Sequence, residues 1–174
     1  NRLRQLSRHF QSRIKTMTST VDAIESSITK ADLVIGAVLV PGGSAPKLLT
    51  RNHLKKMQKG SVLVDISIDQ GGCFETSRPT THDDPIYIEE NVIHYCVSNM
   101  PGAVARTSTL ALNNATLPFI LALANKGYKK AFMDDPHLLN GLNIAFGHMT
   151  HKQVACDLGY TYTPATEVLE KYGE

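Results

Sequence analysis

Residues 61–72 read SVLVDISIDQGG. Asp69 stands where an apolar run gives way to a pair of glycines, Gly71 and Gly72. A carboxylate at the end of a strand can bind a ribose hydroxyl, hold a reacting water or polarise a neighbour. It can equally do no more than cap the turn that the two glycines make, and the spacing leaves both open. Arg78, in the same loop, suits an acid or a pyrophosphate as partner, or simply faces water. His82 in TTHDDP is flanked by acids, yet it reads better as a solvated loop residue than as a metal ligand. His148 and His151 are spaced to share a helix face and read as structural. Cys73 has nothing nearby to lower its pKa and is not read as a nucleophile. G-x-S-x-G, G-x-x-x-x-G-K-[ST] and H-E-x-x-H do not occur.

The chain has 174 residues, 42% of them hydrophobic and 20% charged, with a net charge of +2. That charge is too mild to argue for nucleic acid or an anionic membrane. Arg2, Arg4, Arg8, His9, Arg13 and Lys15 fit the solvated face of a helix. Aromatics are 6% with no Trp, so stacking platforms for a nucleic acid are scarce. Cys73, Cys96 and Cys156 are odd in number and far apart. Neither a disulfide framework nor a zinc site is suggested, and a reduced, cytoplasmic compartment is expected. No apolar run reaches about 18 residues without polar interruption, so no membrane span is read. The chain starts without Met inside what reads as a helix, so a fragment, a processed chain or a trimmed one is expected.

The elements that must hold Asp69 follow from periodicity. RIKTMT (13–18) reads as a short strand, then Ser19 or Thr20 caps a helix with Val21, Ile24 and Ile28 at helical spacing. DLVIGAVLV (32–40) is nearly continuous and apolar, as in a parallel strand covered on both faces. A helix is expected over about 50–58 with Leu54 and Met57 inward, then the strand SVLVDISI. Residues 70–85 fit neither period, and loops of that length are usually functional. A strand or hairpin at 86–97 and a second loop at 99–109 follow. Thr107 or Ser108 caps a long helix ending at Gly127, which Pro118 should kink or restart. Helical pieces are expected at about 134–145 and 148–158.

Strands and helices alternating in this way argue an α/β, Rossmann-type, doubly wound and mainly parallel sheet, incomplete at its N-terminus. Residues 1–106 would be the C-terminal part of that domain, 107–127 a connecting helix and 128–174 a helical part of a second domain. Ligands of such sheets sit beyond the carboxyl ends of the strands. Three such ends carry glycine here, at 37–43, 69–72 and 97–102. The G-x-G-x-x-G turn is absent.

ADLVIGAVLVPGGSAPKLLT, GSVLVDISIDQGGCFETSRPTTHDDP and YCVSNMPGAVARTSTLALNNATLPF resemble the C-terminal half of bacterial alanine dehydrogenases, essentially end to end. The related transhydrogenase and saccharopine dehydrogenase families share the fold but diverge through the DQGGCFETSRPTTHD stretch. The resemblance implies a reversible, NAD-dependent oxidation of L-alanine to pyruvate and ammonia in a cytoplasmic homohexamer. It implies Val38 and Leu39 on the adenosine side of NAD, Ser19 at a preceding strand end and Arg2 near the adenine ribose. It places Ile66, Ser67, Ile68 and Asp69 under the nicotinamide ribose, with Asp69 catalytic, and Arg78 on the cofactor side. It implies Val97, Ser98, Asn99 and Met100 beside the nicotinamide, with Asn99 reaching the substrate.

The family's substrate-binding arginine and lysine, its catalytic histidine and its Gly-rich phosphate turn lie N-terminal to these residues. The 174 residues alone are therefore expected not to turn over alanine and to bind NAD weakly or not at all. A non-catalytic dinucleotide-binding or interaction module, or a transhydrogenase-like NAD(H)-binding subunit, is the alternative.

Overall fold

The structure is a computed structural model and describes residues 1–173. It divides into two compact units, Asn1–Ala37 with Pro46–Ile68 and Gly72–Ser98, and Val38–Ala45 with Asp69–Gly71 and residues from Asn99 onward.

The first unit begins with α1 (Arg2–Phe10) and α2 (Val21–Ile28). Thr20 is the cap of α2: its hydroxyl accepts from the Ala23 N–H at 3.2 Å, and Asp22 sits in the first turn near the positive end of the dipole. Residues 13–18 form no strand. Ile14 is extended, but a strand has meaning only beside another, and none pairs with this one. Then follow β1 (Leu33–Gly36), α3 (Arg51–Leu54), β2 (Val62–Asp65), β3 (Ile86–Glu89) and β4 (Val92–Tyr95).

The sheet order is β1-β2-β4-β3. β1 and β4 both pair parallel to β2, and β3 closes an antiparallel hairpin on β4. The α/β, mainly parallel architecture expected from the alternation is therefore present. β2, with a neighbour on each side, carries the fully buried Leu63. β1 lies at the sheet's edge, and its outward residues Leu33 and Ile35 are 53% and 56% exposed. The expected strand over 32–40, covered on both faces, thus shortens to four residues with one face open.

α3 is shorter than its 50–58 pattern because its last turn tightens. Lys56 N–H donates to His53 O and Met57 N–H to Leu54 O, three residues back rather than four. Leu54 and Met57 are nevertheless both buried, as their spacing required. With Phe74 and Leu63 they form the unit's interior, each large side chain contributing about 1.5–3 kcal/mol.

The second unit holds α4 (Ala105–Lys126), α5 (Tyr128–Asp134), α6 (Pro136–Leu139), the hairpin β5 (Ile144–Ala145) and β6 (His148–Met149), α7 (Lys152–Leu158) and α8 (Ala165–Tyr172). α4 follows directly from a 3-10 turn at Met100–Val104 and needs neither Thr107 nor Ser108 as a cap; the Ser108 hydroxyl donates to Pro101 O at 2.8 Å. It continues through Pro118 without a restart. None of its residues is buried. With the 3-10 turn it is long and apolar enough, by length and composition alone, to cross a membrane.

The helices expected over 134–145 and 148–158 give way between them to a hairpin. Phe146 and Gly147 both have positive φ, the geometry of a two-residue turn joining short strands. His148 and His151 therefore share no helix face. His148 lies on β6, and His151 caps α7 by accepting the Val154 N–H. Ala131, Ala155, Val168 and Leu169 are the buried apolar residues of these helices.

Candidate functional site

β1, β2 and β4 run in one direction, so their carboxyl ends share one edge of the sheet. β2 stops at Asp65, earlier than the apolar pattern implies, and the chain curls into a 3-10 turn, Ile66–Gln70. The cause is local. The Asp65 carboxylate accepts the Ser67 N–H at 3.0 Å, which competes with continued strand pairing. The turn buries Ser67 and Ile68 and leaves Ile66 and Asp69 exposed. The Asp69 carboxylate makes no hydrogen bond or ion pair among the described residues. Gln70, beside it, is held on both sides of its amide: Nε2 donates to Val40 O at 3.0 Å, and Oε1 accepts the Val40 N–H at 3.3 Å.

The acid that holds the glycine turn is Asp65. It is fully buried. Its Oδ2 accepts the Cys73 N–H at 2.8 Å and the Ser77 hydroxyl at 2.5 Å, and Phe74 N–H lies at 3.4 Å. The Cys73 thiol donates to Oδ1 at 3.5 Å. Burial first, and the Asp65 charge second, push that thiol up to about 11. Cys73 is thus no thiolate at neutral pH. A Cβ on Gly36, the last residue of β1, would fall 2.3 Å from the Cys73 sulfur, so this strand end requires glycine.

The loop's far side is tied down by aromatic stacking. The Arg78 guanidinium lies 3.9 Å from the centre of the Tyr87 ring, and the Arg78 N–H donates to Tyr87 Oη at 2.9 Å. Arg78 makes no ion pair among the described residues. Tyr87 stacks on His94, ring centres 4.8 Å apart. His94 is fully buried. The Val92 carbonyl, 3.0 Å away, can only accept, so Nδ1 carries the proton and Nε2 accepts from the Thr76 hydroxyl at 2.8 Å. Burial holds His94 below its ordinary pKa.

At the end of β4, Val97 is fully buried and bridges Thr80, while Ser98 is exposed and donates its N–H to Thr80 O at 3.2 Å. Asn99 adopts a left-handed conformation (φ 60°) and accepts the Gly102 N–H at 2.9 Å. Met100 opens the following 3-10 turn. Beyond β1, Val38 is half-buried and Leu39 is 75% exposed. Arg2 sits at the start of α1, bonded to Gln5, and Ser19 is exposed ahead of α2. His82 is exposed. Among the described residues no group of three His, Cys, Asp or Glu is placed to hold a metal ion.

Two contributors escape sequence reasoning. Asp65 had a signal, an acid inside an apolar run, but an acid so placed reads first as a strand interruption. Gln70 had none, because an amide on a loop has no period.

A mainly parallel sheet, with helices alternating along the chain between its strands, defines a Rossmann-type α/β fold. Comparison narrows this. The family model described as "Alanine dehydrogenase/PNT, C-terminal domain" matches residues 1–152, and the chain belongs to that family. It is 57% identical over 97% of its length to an alanine dehydrogenase of Halomonas elongata, covering 45% of that protein. It is 53% identical over 98% of its length to one of Staphylococcus haemolyticus, covering 46%. The chain thus spans less than half the length of these relatives. A solved L-alanine dehydrogenase superposes with a TM-score of 0.78 at 46% identity, over 91% of this chain and 44% of the other. A transhydrogenase from Sinorhizobium meliloti shares the fold at 24% identity, with a TM-score of 0.57 over 77% of this chain and 36% of the other.

Proposed function

We propose that this chain supplies the Asp69 side of the site of an NAD-dependent alanine dehydrogenase. The reaction is L-alanine + H2O + NAD⁺ ⇌ pyruvate + NH4⁺ + NADH + H⁺. The observation that carries the reading is Asp69, exposed and without a partner among the described residues, on a turn that leaves the carboxyl end of a parallel strand.

The strand-end residues fit a flat dinucleotide. Leu39 and Ile66 leave apolar surface uncovered, at 75% and 54% exposure, which a ring can cover. Val38 and Leu39 would take the adenosine side, with Ser19 and Arg2 near it. Ile66, Ser67 and Ile68 would lie under the nicotinamide ribose, with Val97, Ser98 and Met100 beside the nicotinamide and Arg78 on the cofactor side. NAD, when bound, accepts the hydride from the alanine α-carbon.

Asp69 acts on the substrate. Loss of hydride leaves a positively charged imino carbon, which water must attack. A carboxylate there orients the water, takes its proton and offsets the charge as it develops. Asn99, with an amide that both donates and accepts, is placed in this reading to hold the substrate. The test is alanine-dependent NADH formation by a protein of the relatives' length that contains this chain. A folded protein of that kind with no such activity would overturn the reading.

A further inference from the structure

The Gly72 carbonyl and the Cys73 N–H belong to one peptide group, and a charged side chain sits at each end of it. Lys47 Nζ donates to the Gly72 oxygen at 2.8 Å. Asp65 Oδ2 accepts the Cys73 N–H at 2.8 Å. Cation at the oxygen and anion at the hydrogen follow the peptide dipole, and both hydrogen bonds are charge-assisted. Gly72 N–H in turn donates to Ser67 O at 3.0 Å, closing a ring of backbone that contains Asp69. Asp65 grips both feet of this ring, Ser67 N–H through Oδ1 and Cys73 N–H through Oδ2. The clamp leaves no slack: a Cβ on Gly72, whose φ is +74°, would lie 2.8 Å from Asp65 Oδ2 and 2.6 Å from the Ser77 Cβ.

We propose that Asp65 and Lys47 are positioning residues that fix the turn bearing Asp69 for reaction; this rests on the alanine dehydrogenase reading above. Neither side chain is assigned any contact with substrate. Their effect passes through the peptide they hold, and a shift of about 1 Å in a reacting group costs about a hundredfold in rate.

The experiment compares Asp65→Asn, Lys47→Met, Lys47→Arg and the milder Ser77→Ala in a protein of the relatives' length that carries this chain. Expected for Asp65→Asn is a kcat about 30- to 100-fold lower, with KM for NAD changed less than about threefold. Lys47→Met should fall about tenfold and Lys47→Arg should recover most of the rate. Ser77→Ala should lose about threefold, and it carries the test if Asp65→Asn does not fold. Exchange of the Cys73 and Phe74 amide hydrogens should quicken at least about tenfold in Asp65→Asn. Folded Asp65→Asn and Lys47→Met proteins with wild-type kcat, or with only KM altered, overturn the proposal. A wild-type protein that does not oxidise alanine overturns the functional reading instead. Amide exchange then decides the clamp by itself, and unchanged exchange in Asp65→Asn rejects it.

Discussion

Asp65 ends the strand from which the turn bearing Asp69 leaves, and the two acids have opposite surroundings. One is buried and saturated with donors; the other is exposed and has none among the described residues. That contrast separates a carboxylate that builds a loop from one free to meet a ligand. Asp69→Asn, in a protein of the relatives' length, should lower kcat for alanine oxidation by about 10²- to 10⁴-fold while melting within a degree or two of wild type, as followed by NADH absorbance and thermal unfolding. Spacing alone left open whether Asp69 acts or caps; only its place, between an apolar run and two glycines, was legible. Asp65 was not, because burial with four donating neighbours is a tertiary fact.

His94 gives the same scale a pH signature. Burial depresses its folded pKa, so the unfolded chain takes up a proton first as pH falls. Its contribution is fully present above the unfolded value of about 6.5 and is lost as pH drops from there toward the folded value. Denaturant unfolding at pH 7.5 and pH 5.5, on the order of one unit either side of that value, should show lower stability at the acid end. His94→Phe should keep the ring stack on Tyr87 and orphan the Thr76 hydroxyl. The lost partner of Thr76 should cost about 1–3 kcal/mol at neutral pH, and the acid loss should flatten.

At the scale of elements, the sheet was largely readable and its limits were not. The apolar runs at 32–40 and 61–68 and the strand or hairpin expected at 86–97 contain the three parallel strands, and Thr20 and Gly127 mark helix ends. Strand lengths depend instead on neighbours: β1 stops where it meets Cys73 and Phe74, and residues 13–18 lack a strand to pair with. The β5-β6 hairpin was missed because Phe146-Gly147 is not one of the common turn pairs and its strands have only two residues each. Gly36→Ala should be the most damaging one-carbon change in β1. Its Cβ would fall 2.3 Å from Cys73 Sγ and 2.6 Å from Phe74 Cζ, and overpacking of this kind costs about 1–3 kcal/mol, readable as a lower denaturant midpoint.

For the chain as a whole, the balance of covered and uncovered apolar surface matters most. α4 exposes Leu110, Leu112, Leu117, Phe119, Ile120 and Leu121, and a helix apolar on all sides is stable only when something surrounds it. The 174-residue chain should therefore self-associate in dilute buffer, and Leu112→Glu with Ile120→Lys should shift its sedimentation toward the monomer. The same chain carries no G-x-G-x-x-G turn to cradle a pyrophosphate. NADH fluorescence should consequently show no saturation at low-micromolar chain, and tight binding would mean that the strand-end loops suffice without that cradle.

The cysteines turn the burial pattern into a gauge of folding. Cys73 and Cys96 are buried and Cys156 is exposed. A thiol walled in by Gly36 and held near 11 is beyond the reach of an alkylating reagent until the surrounding sheet opens. Intact-mass spectrometry after brief alkylation should thus find one added group per native molecule and three per denatured one. The proportion of each would report how much of the sheet is formed under any condition, with no substitution or dye.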